Sequence, residues 1–163
     1  MSLGRAASSD RVRLARGIAG VLGLTDEDAA CVAWAAATSV TEDALADPRG
    51  ESGSPDQPKA VRLILAHRHE RVDGSGAPQG LVGDEIELGA RIVAVTEAFE
   101  SALDAEKAGA AAGIVEKRIE QLRGRAGREF DPMVVEALVL LGVEEGWLDR
   151  GWALGPSEAA DAA

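Results

Sequence analysis

The sequence predicts an all-α protein, a compact bundle of about six or seven helices, and three observations carry that expectation. Alanine supplies 31 of the 163 residues, and it is the best helix former and a poor strand former. Large side chains are scarce, with three Trp, two Phe and no Tyr, so a core must come from closely packed helices. Finally, apolar residues recur at helical spacing in one segment after another. The length suits a single domain with its own core, expected over residues 9–148 after a disordered or tag-derived start at 1–8.

Residues 10–22 read as the first helix. Val12, Ala15, Ala19 and Leu22 fall on one stripe, Ser8, Ser9 or Asp10 serves as cap, and Gly23 is the stop. Thr25-Asp26-Glu27-Asp28 opens a second helix through a capping-box pattern, with acids in the first turn where the dipole favours them. It runs to about Ser39 and is apolar nearly all round, so it should be buried on most sides. Residues 46–58, with three prolines, two glycines and two serines, read as a flexible connection.

A third helix follows from Lys59 to about Glu70, with Val61, Ile64, Leu65 and Arg68 on one stripe. Asp73-Gly74-Ser75-Gly76-Ala77-Pro78 then breaks into turns, and Gly80 and Gly83 extend the loop. Glu87 to about Leu103 is the strongest helix. Leu88, Ile92, Val95, Phe99 and Leu103 line one face, and Ala90, Val93, Ala94 and Glu97 the opposite one. A helix apolar on two sides is sandwiched between neighbours. Another helix is expected over about 110–123. The last begins at Asp131-Pro132, an N-cap with proline at the first helical position. Residues 149–163 read as a tail, with Trp147 or Trp152 as anchor.

Seventeen basic against 28 acidic residues leave a net charge of −11. That balance argues against nucleic acid, whose binding rests on Lys and Arg at the phosphates, and the few aromatics remove the stacking platforms single strands need. Cys31 is the single cysteine. It forms no internal disulfide, which fits a reducing cytoplasm, and it reads as a small buried apolar residue. No apolar run approaches a membrane span, and Met1-Ser2-Leu3-Gly4 does not open a signal peptide.

Both histidines lie in the densest polar cluster, His67-Arg68-His69-Glu70-Arg71-Val72-Asp73-Gly74-Ser75-Gly76. Residues two apart on a helix diverge by about 200°, so His67 and His69 cannot share a metal while helical. Glycines that permit positive φ, and an Asp that can bond nearby amides, also suit Asp73-Gly74-Ser75-Gly76 to a purely structural helix stop.

The segment HRHERVDGSGAPQGLVGDEIELGARI, His67 to Ile92, resembles the signature of the HD-GYP domain: His-His-Glu, Asp-Gly-x-Gly-Tyr-Pro, Gly-Leu, then an Ile-x-Leu-x-Ala-Arg-Ile helix. The similarity runs on through Phe99 and returns at Gly127-Arg128-Glu129-Phe130-Asp131-Pro132 with Val134-Val135. Leu22-Gly23-Leu24-Thr25-Asp26-Glu27 is similar to the family's first interhelical turn. The resemblance implies an all-helical, HD-domain-like fold and a bacterial, metal-dependent phosphodiesterase of cyclic di-GMP signalling, its metals held by His and Asp.

The residues at the implied ligand positions depart from that pattern. Ala36-Ala37-Thr38-Ser39-Val40 stands where the His-Asp pair is expected, and Arg68-His69 replaces His-His. Glu97 replaces an Asp and Ala77 the Tyr. Only His69 and Glu97 remain as remnant metal candidates, and even one catalytic metal usually takes three protein ligands. The expectation is therefore a catalytically inactive HD-GYP-like signalling module with no catalytic residues and no cofactor, binding through Arg68, His69, Asp73, Gly74, Gly76 and Glu97. The alternative is a metal-dependent phosphohydrolase or cyclic di-GMP phosphodiesterase. It would hold a divalent transition metal, Fe or Mn, in a reduced site of His69, Glu97, Asp73 and His67. Partners expected are another protein or a second copy of the chain, or a small anionic ligand, in the cytoplasm and away from membrane and nucleic acid.

Arg68 shares the stripe of Val61, Ile64 and Leu65 and should point inward, where a guanidinium is costly unless paired. Pairing with Glu97 would supply the positive charge of the lost metal, with Asp73 as a further candidate partner. Snorkelling to water is the alternative.

Overall fold

The computed structural model describes residues 3–38, 56–107 and 113–153. Among them are six α-helices, one 3-10 turn and no strand: α1 Leu3–Val21, α2 Asp26–Ala37, α3 Lys59–His67, the turn Gly83–Glu85, α4 Leu88–Lys107, α5 Ile114–Arg125 and α6 Pro132–Glu144. Part of the proposed 46–58 connection, residues 46–55, lies outside the described residues.

α4 is the centre of the bundle and packs against α1, α2, α3, α5 and α6. Its two-sided apolar pattern explains this: Ile92, Val93, Val95 and Phe99 are all fully buried. Small residues let the first two helices approach closely, with Ala15 and Ala19 of α1 and Ala35 and Ala36 of α2 buried. Gly23, at φ +75°, makes the turn between them, and its N–H closes on Gly20 O at 3.0 Å. Thr25 Oγ1 then caps α2 by accepting from Asp28 N at 3.2 Å. Asp131 caps α6 in the same way, through Met133 N at 2.8 Å.

Several boundaries differ from the sequence expectation. α1 begins at Leu3, ahead of the cap expected at Ser8, Ser9 or Asp10, so residues 3–8 of the expected disordered start are helical. Ala6 and Ala7 favour continuation, and no proline interrupts it. α3 stops at His67 rather than Glu70, with Arg68 as C-cap. α4 continues to Lys107, and α5 spans Ile114–Arg125. The expected tail is docked as far as Ala153: a helical turn covers 150–153, Leu148 and Ala153 are buried, and Asp149 Oδ1 accepts from Trp152 N at 3.0 Å. The Trp147 ring meets Phe99 at 5.5 Å, and Arg123 lies 5.8 Å over Trp152. Cys31 is half-buried rather than buried. Burial, then Glu27 and Asp28, push its thiol pKa up, which disfavours the thiolate.

Candidate functional site

The polar cluster of the sequence lies where α3 ends against α4. The stripe spacing aims Arg68 inward, and it is 8% exposed. Its Nη2 donates to Glu97 Oε1 across from α4, and its Nη1 donates to Thr38 O, just beyond the end of α2, at 3.3 Å. A third helix takes part. Arg11 of α1 approaches Glu97 Oε1 at 3.5 Å and donates from Nε to Glu100 Oε2 at 2.8 Å, with Nη2 on the same oxygen. Two guanidiniums and two carboxylates therefore alternate through the α1–α3–α4 junction. Burial, then the charge of Arg11, bring the Arg68 pKa down to about 10, which still leaves it cationic at neutral pH. Arg68 Nε and Glu100 Oε1 are buried without a hydrogen-bond partner.

Beside this junction opens a cleft of about 320 Å³. The end of α3 lends it Arg68, His69, Glu70 and Arg71, α4 lends Ala94 and Glu97, and the α5–α6 turn lends Arg125, Glu129 and Phe130. Glu129 is bracketed by Arg125, at 2.9 Å from Nε, and by Arg71 at 3.7 Å. The hydrogen bond from Arg125 first, then the surrounding guanidiniums, hold its pKa low. His69 stands exposed on the lip. Partial burial of its ring, then the charge of Arg68, lower its pKa from 6.5, which favours the neutral imidazole.

The glycine loop closes on itself. Buried Glu70 accepts from Gln79 N at 2.6 Å and Leu81 N at 3.1 Å, which pins the far side of the loop to the end of α3. Asp73 is exposed and accepts from Ser75 N at 2.9 Å. Gly74 adopts φ +80°. At Gly76 any Cβ would sit 2.2 Å from Arg71 N, so only glycine fits. His67 is buried and accepts at Nδ1 from Glu87 N, 3.3 Å away, tying α3 to the start of α4.

Of the residues expected at a site, Arg68, His69 and Glu97 therefore meet in the cleft. Asp73, Gly74 and Gly76 shape the neighbouring loop, and Asp73 bonds its own turn rather than Arg68. Sequence reasoning missed Arg11, Glu70, Glu100 and the Arg125–Glu129 pair. Glu100, three residues beyond Glu97, was a readable signal, but Arg125 and Glu129 meet across the turn after α5, with Gly127 at φ +79° between them, where helical spacing does not apply. Arg11 and Glu100 lie 89 positions apart, and nothing local announces their contact.

A helical bundle with a polar cleft at the α3–α4 junction is the frame of an HD-type domain, and the comparisons agree. The HD domain family matches residues 51–134, and the chain belongs to that family. It is 46% identical over 77 residues to the cyclic di-GMP phosphodiesterase response regulator RpfG of Xanthomonas campestris, covering 47% of this chain and 20% of that protein. It is 40% identical over 81 residues to a 3'3'-cGAMP-specific phosphodiesterase of Vibrio cholerae, covering 50% of this chain and 15% of that protein. The chain thus spans a fifth or less of the length of these relatives. A crystal structure of a cyclic GMP-AMP specific phosphodiesterase of V. cholerae shares the fold, with TM-score 0.62 at 16% identity over 85% of this chain and 44% of that one.

The HD-GYP resemblance implies a metal cluster, and the donors among the described residues do not fit one. Among the described residues no three His, Cys, Asp or Glu side chains converge as a metal site. Glu97 already faces two guanidiniums, those of Arg11 and of the buried Arg68. A divalent ion placed there would meet positive charge instead of ligands. Among the described residues no helix is long and apolar enough to cross a membrane.

Proposed function

We propose that this chain is a bacterial, cytoplasmic HD-GYP-like signalling module that acts by binding rather than by hydrolysis. The observation that carries the reading is the Arg68–Glu97 pair on the cleft floor. Hydrolysis of a phosphodiester in this family calls for metal-activated water and for positive charge on the phosphoryl oxygens. A guanidinium can supply charge but cannot lower the pKa of a water to make a nucleophile. A small anionic ligand, a protein partner or a second copy of the chain would meet the face that exposed His69 opens beside the Arg68–Glu97 pair. Asp73, Gly74 and Gly76 contribute by holding the loop beside that face.

A second reading, a cyclic di-GMP phosphodiesterase with a reduced Fe or Mn site around His69 and Glu97, is favoured by the relatives. Both carry phosphodiesterase in their names, and they support hydrolysis more directly than they support binding alone. One experiment separates the two. The protein is incubated with cyclic di-GMP and with 3'3'-cGAMP in the presence of Mn²⁺ or Fe²⁺, and linear product is followed by chromatography. The binding reading expects no turnover above buffer. Turnover abolished by His69→Ala would establish the second reading instead.

A further inference from the structure

Glu97 and Glu100 occupy successive turns on one face of α4 and present two carboxylates to the bundle interior, one 25% and the other 9% exposed at the side chain. Two carboxylates so placed repel each other and need positive charge nearby. In this chain that charge is covalent and comes from two directions: Arg68 from α3 onto Glu97, and Arg11 from α1 onto Glu100, with Arg11 also reaching Glu97. Arg11 lies outside residues 51–134, the part matched by the HD domain family. The site is therefore completed by a helix that the family match does not include.

We propose that Arg11 and Arg68 are two fixed cations standing in place of a divalent metal centre, so that the α1–α3–α4 junction is neutral and metal-independent. This rests on the reading of the chain as a binding module and adds how its site came to need no metal. The chemistry is consistent along the row. Two positive and two negative groups cancel, each carboxylate has a guanidinium within 3.5 Å or less, and the Arg68 cation is fixed by a second acceptor at Thr38 O. A bound divalent cation would raise the local charge from zero to plus two. It would have to displace one arginine from a partly dry site, leaving that arginine unpaired.

The test uses the full chain. Thermal unfolding of the unmodified protein is compared in EDTA and in millimolar Mn²⁺ or Zn²⁺, and turnover of cyclic di-GMP is measured in the same preparations. A midpoint that moves by less than about 1 °C between EDTA and metal is expected. Arg68→Met should lower the midpoint by about 5–10 °C, because it leaves Glu97 only the longer 3.5 Å contact to Arg11, as loss of one member of a largely buried pair does. Arg68→Met/Glu97→Gln should recover most of that loss, because no charge is then left alone. A midpoint several degrees higher in metal than in EDTA would overturn this arginine clamp, as would losses in Arg68→Met and Glu97→Gln alone that simply add in the double variant. If Arg68→Met does not fold, the metal response of the unmodified chain still decides. Turnover without a metal response sinks the binding reading and leaves the clamp standing. A metal response without turnover does the reverse.

Discussion

Arg68 and His69 are neighbours in sequence with opposite fates, one buried and one on the lip of the cleft, and their coupling is measurable. Burial first, then the Arg68 charge, keep the His69 imidazole pKa below 6.5. A histidine held low favours its neutral form in the folded protein. Its contribution to stability is therefore complete above the unfolded pKa of about 6.5 and is lost as pH falls through the depressed folded value. Proton NMR titration of the imidazoles should place the His69 midpoint below 6.5 in the unmodified chain. In Arg68→Met the midpoint should move up only part of the way, because the larger cause, burial, remains. A midpoint unchanged by the substitution would show that the guanidinium does not act on the ring. The pair was half legible in the sequence. The stripe spacing of Val61, Ile64 and Leu65 aims Arg68 inward, and Glu97 is the single charge on the small-residue stripe of Ala90, Val93 and Ala94. The Arg11–Glu100 rung was not, since it joins helix surfaces brought together only by the packing of α1 on α4.

At the scale of elements, the start of α6 and the glycine loop are the two joints that give the cleft its walls. Asp131 does two jobs there: Oδ1 caps Met133 N, and Oδ2 accepts from Arg91 Nη1 of α4 at 2.6 Å. Arg91 is 11% exposed at the side chain, and its other partner, Asp84, is fully exposed. Asp131→Ala removes the cap, worth about 1 kcal/mol, and leaves a mostly buried guanidinium with one solvent-screened partner, for a total near 2–4 kcal/mol. Asp131→Asn keeps a capping oxygen and should lose about half as much. Urea unfolding monitored at 222 nm checks both, and equal midpoints for the two variants would remove the cap from the account. In the loop, Gly76→Ala places a methyl against backbone that has nowhere to go. It should break the Ala77 N to His69 O bond, 3.2 Å in the structure, and raise amide exchange through residues 74–80 while the helices keep theirs. The helices and both caps were legible from periodicity and capping residues. The loop's inner wiring was not, because Glu70 finds its two amides only after the chain has folded back upon itself.

Over the whole molecule, charge is the property that sets this chain apart from its own interior. The arginines of the described residues are largely consumed in pairs: Arg11 and Arg68 on Glu97 and Glu100, Arg91 on Asp131 and Asp84, Arg71 and Arg125 on Glu129, Arg123 on Glu136, and Arg13 on Glu145. The net charge of −11 is therefore carried by surplus acids, including Asp26, Glu27 and Asp28 in the first turn of α2, and these repel one another through solvent. Salt acts on the two populations in opposite senses. The screening length falls from about 30 Å at 0.01 M to about 8 Å at 0.15 M, which removes long-range repulsion while leaving buried pairs nearly untouched. Exposed pairs such as Arg13–Glu145 lose strength, but each contributes only about 0–1 kcal/mol. Repulsion among surplus acids should dominate, so the unfolding midpoint should rise by about 2–4 °C between 0.01 and 0.15 M NaCl, equivalent to roughly 1 kcal/mol for a chain of this size. The junction predicts what salt should leave unchanged. Arg68→Met leaves a partly buried carboxylate whose repulsion from Glu100 is poorly screened, so its deficit relative to the unmodified chain should persist across the whole salt range. A midpoint that falls with salt would overturn the dominance of acid repulsion, and a deficit that closes by 0.15 M would place the Arg68–Glu97 pair among the solvated surface pairs instead of the interior.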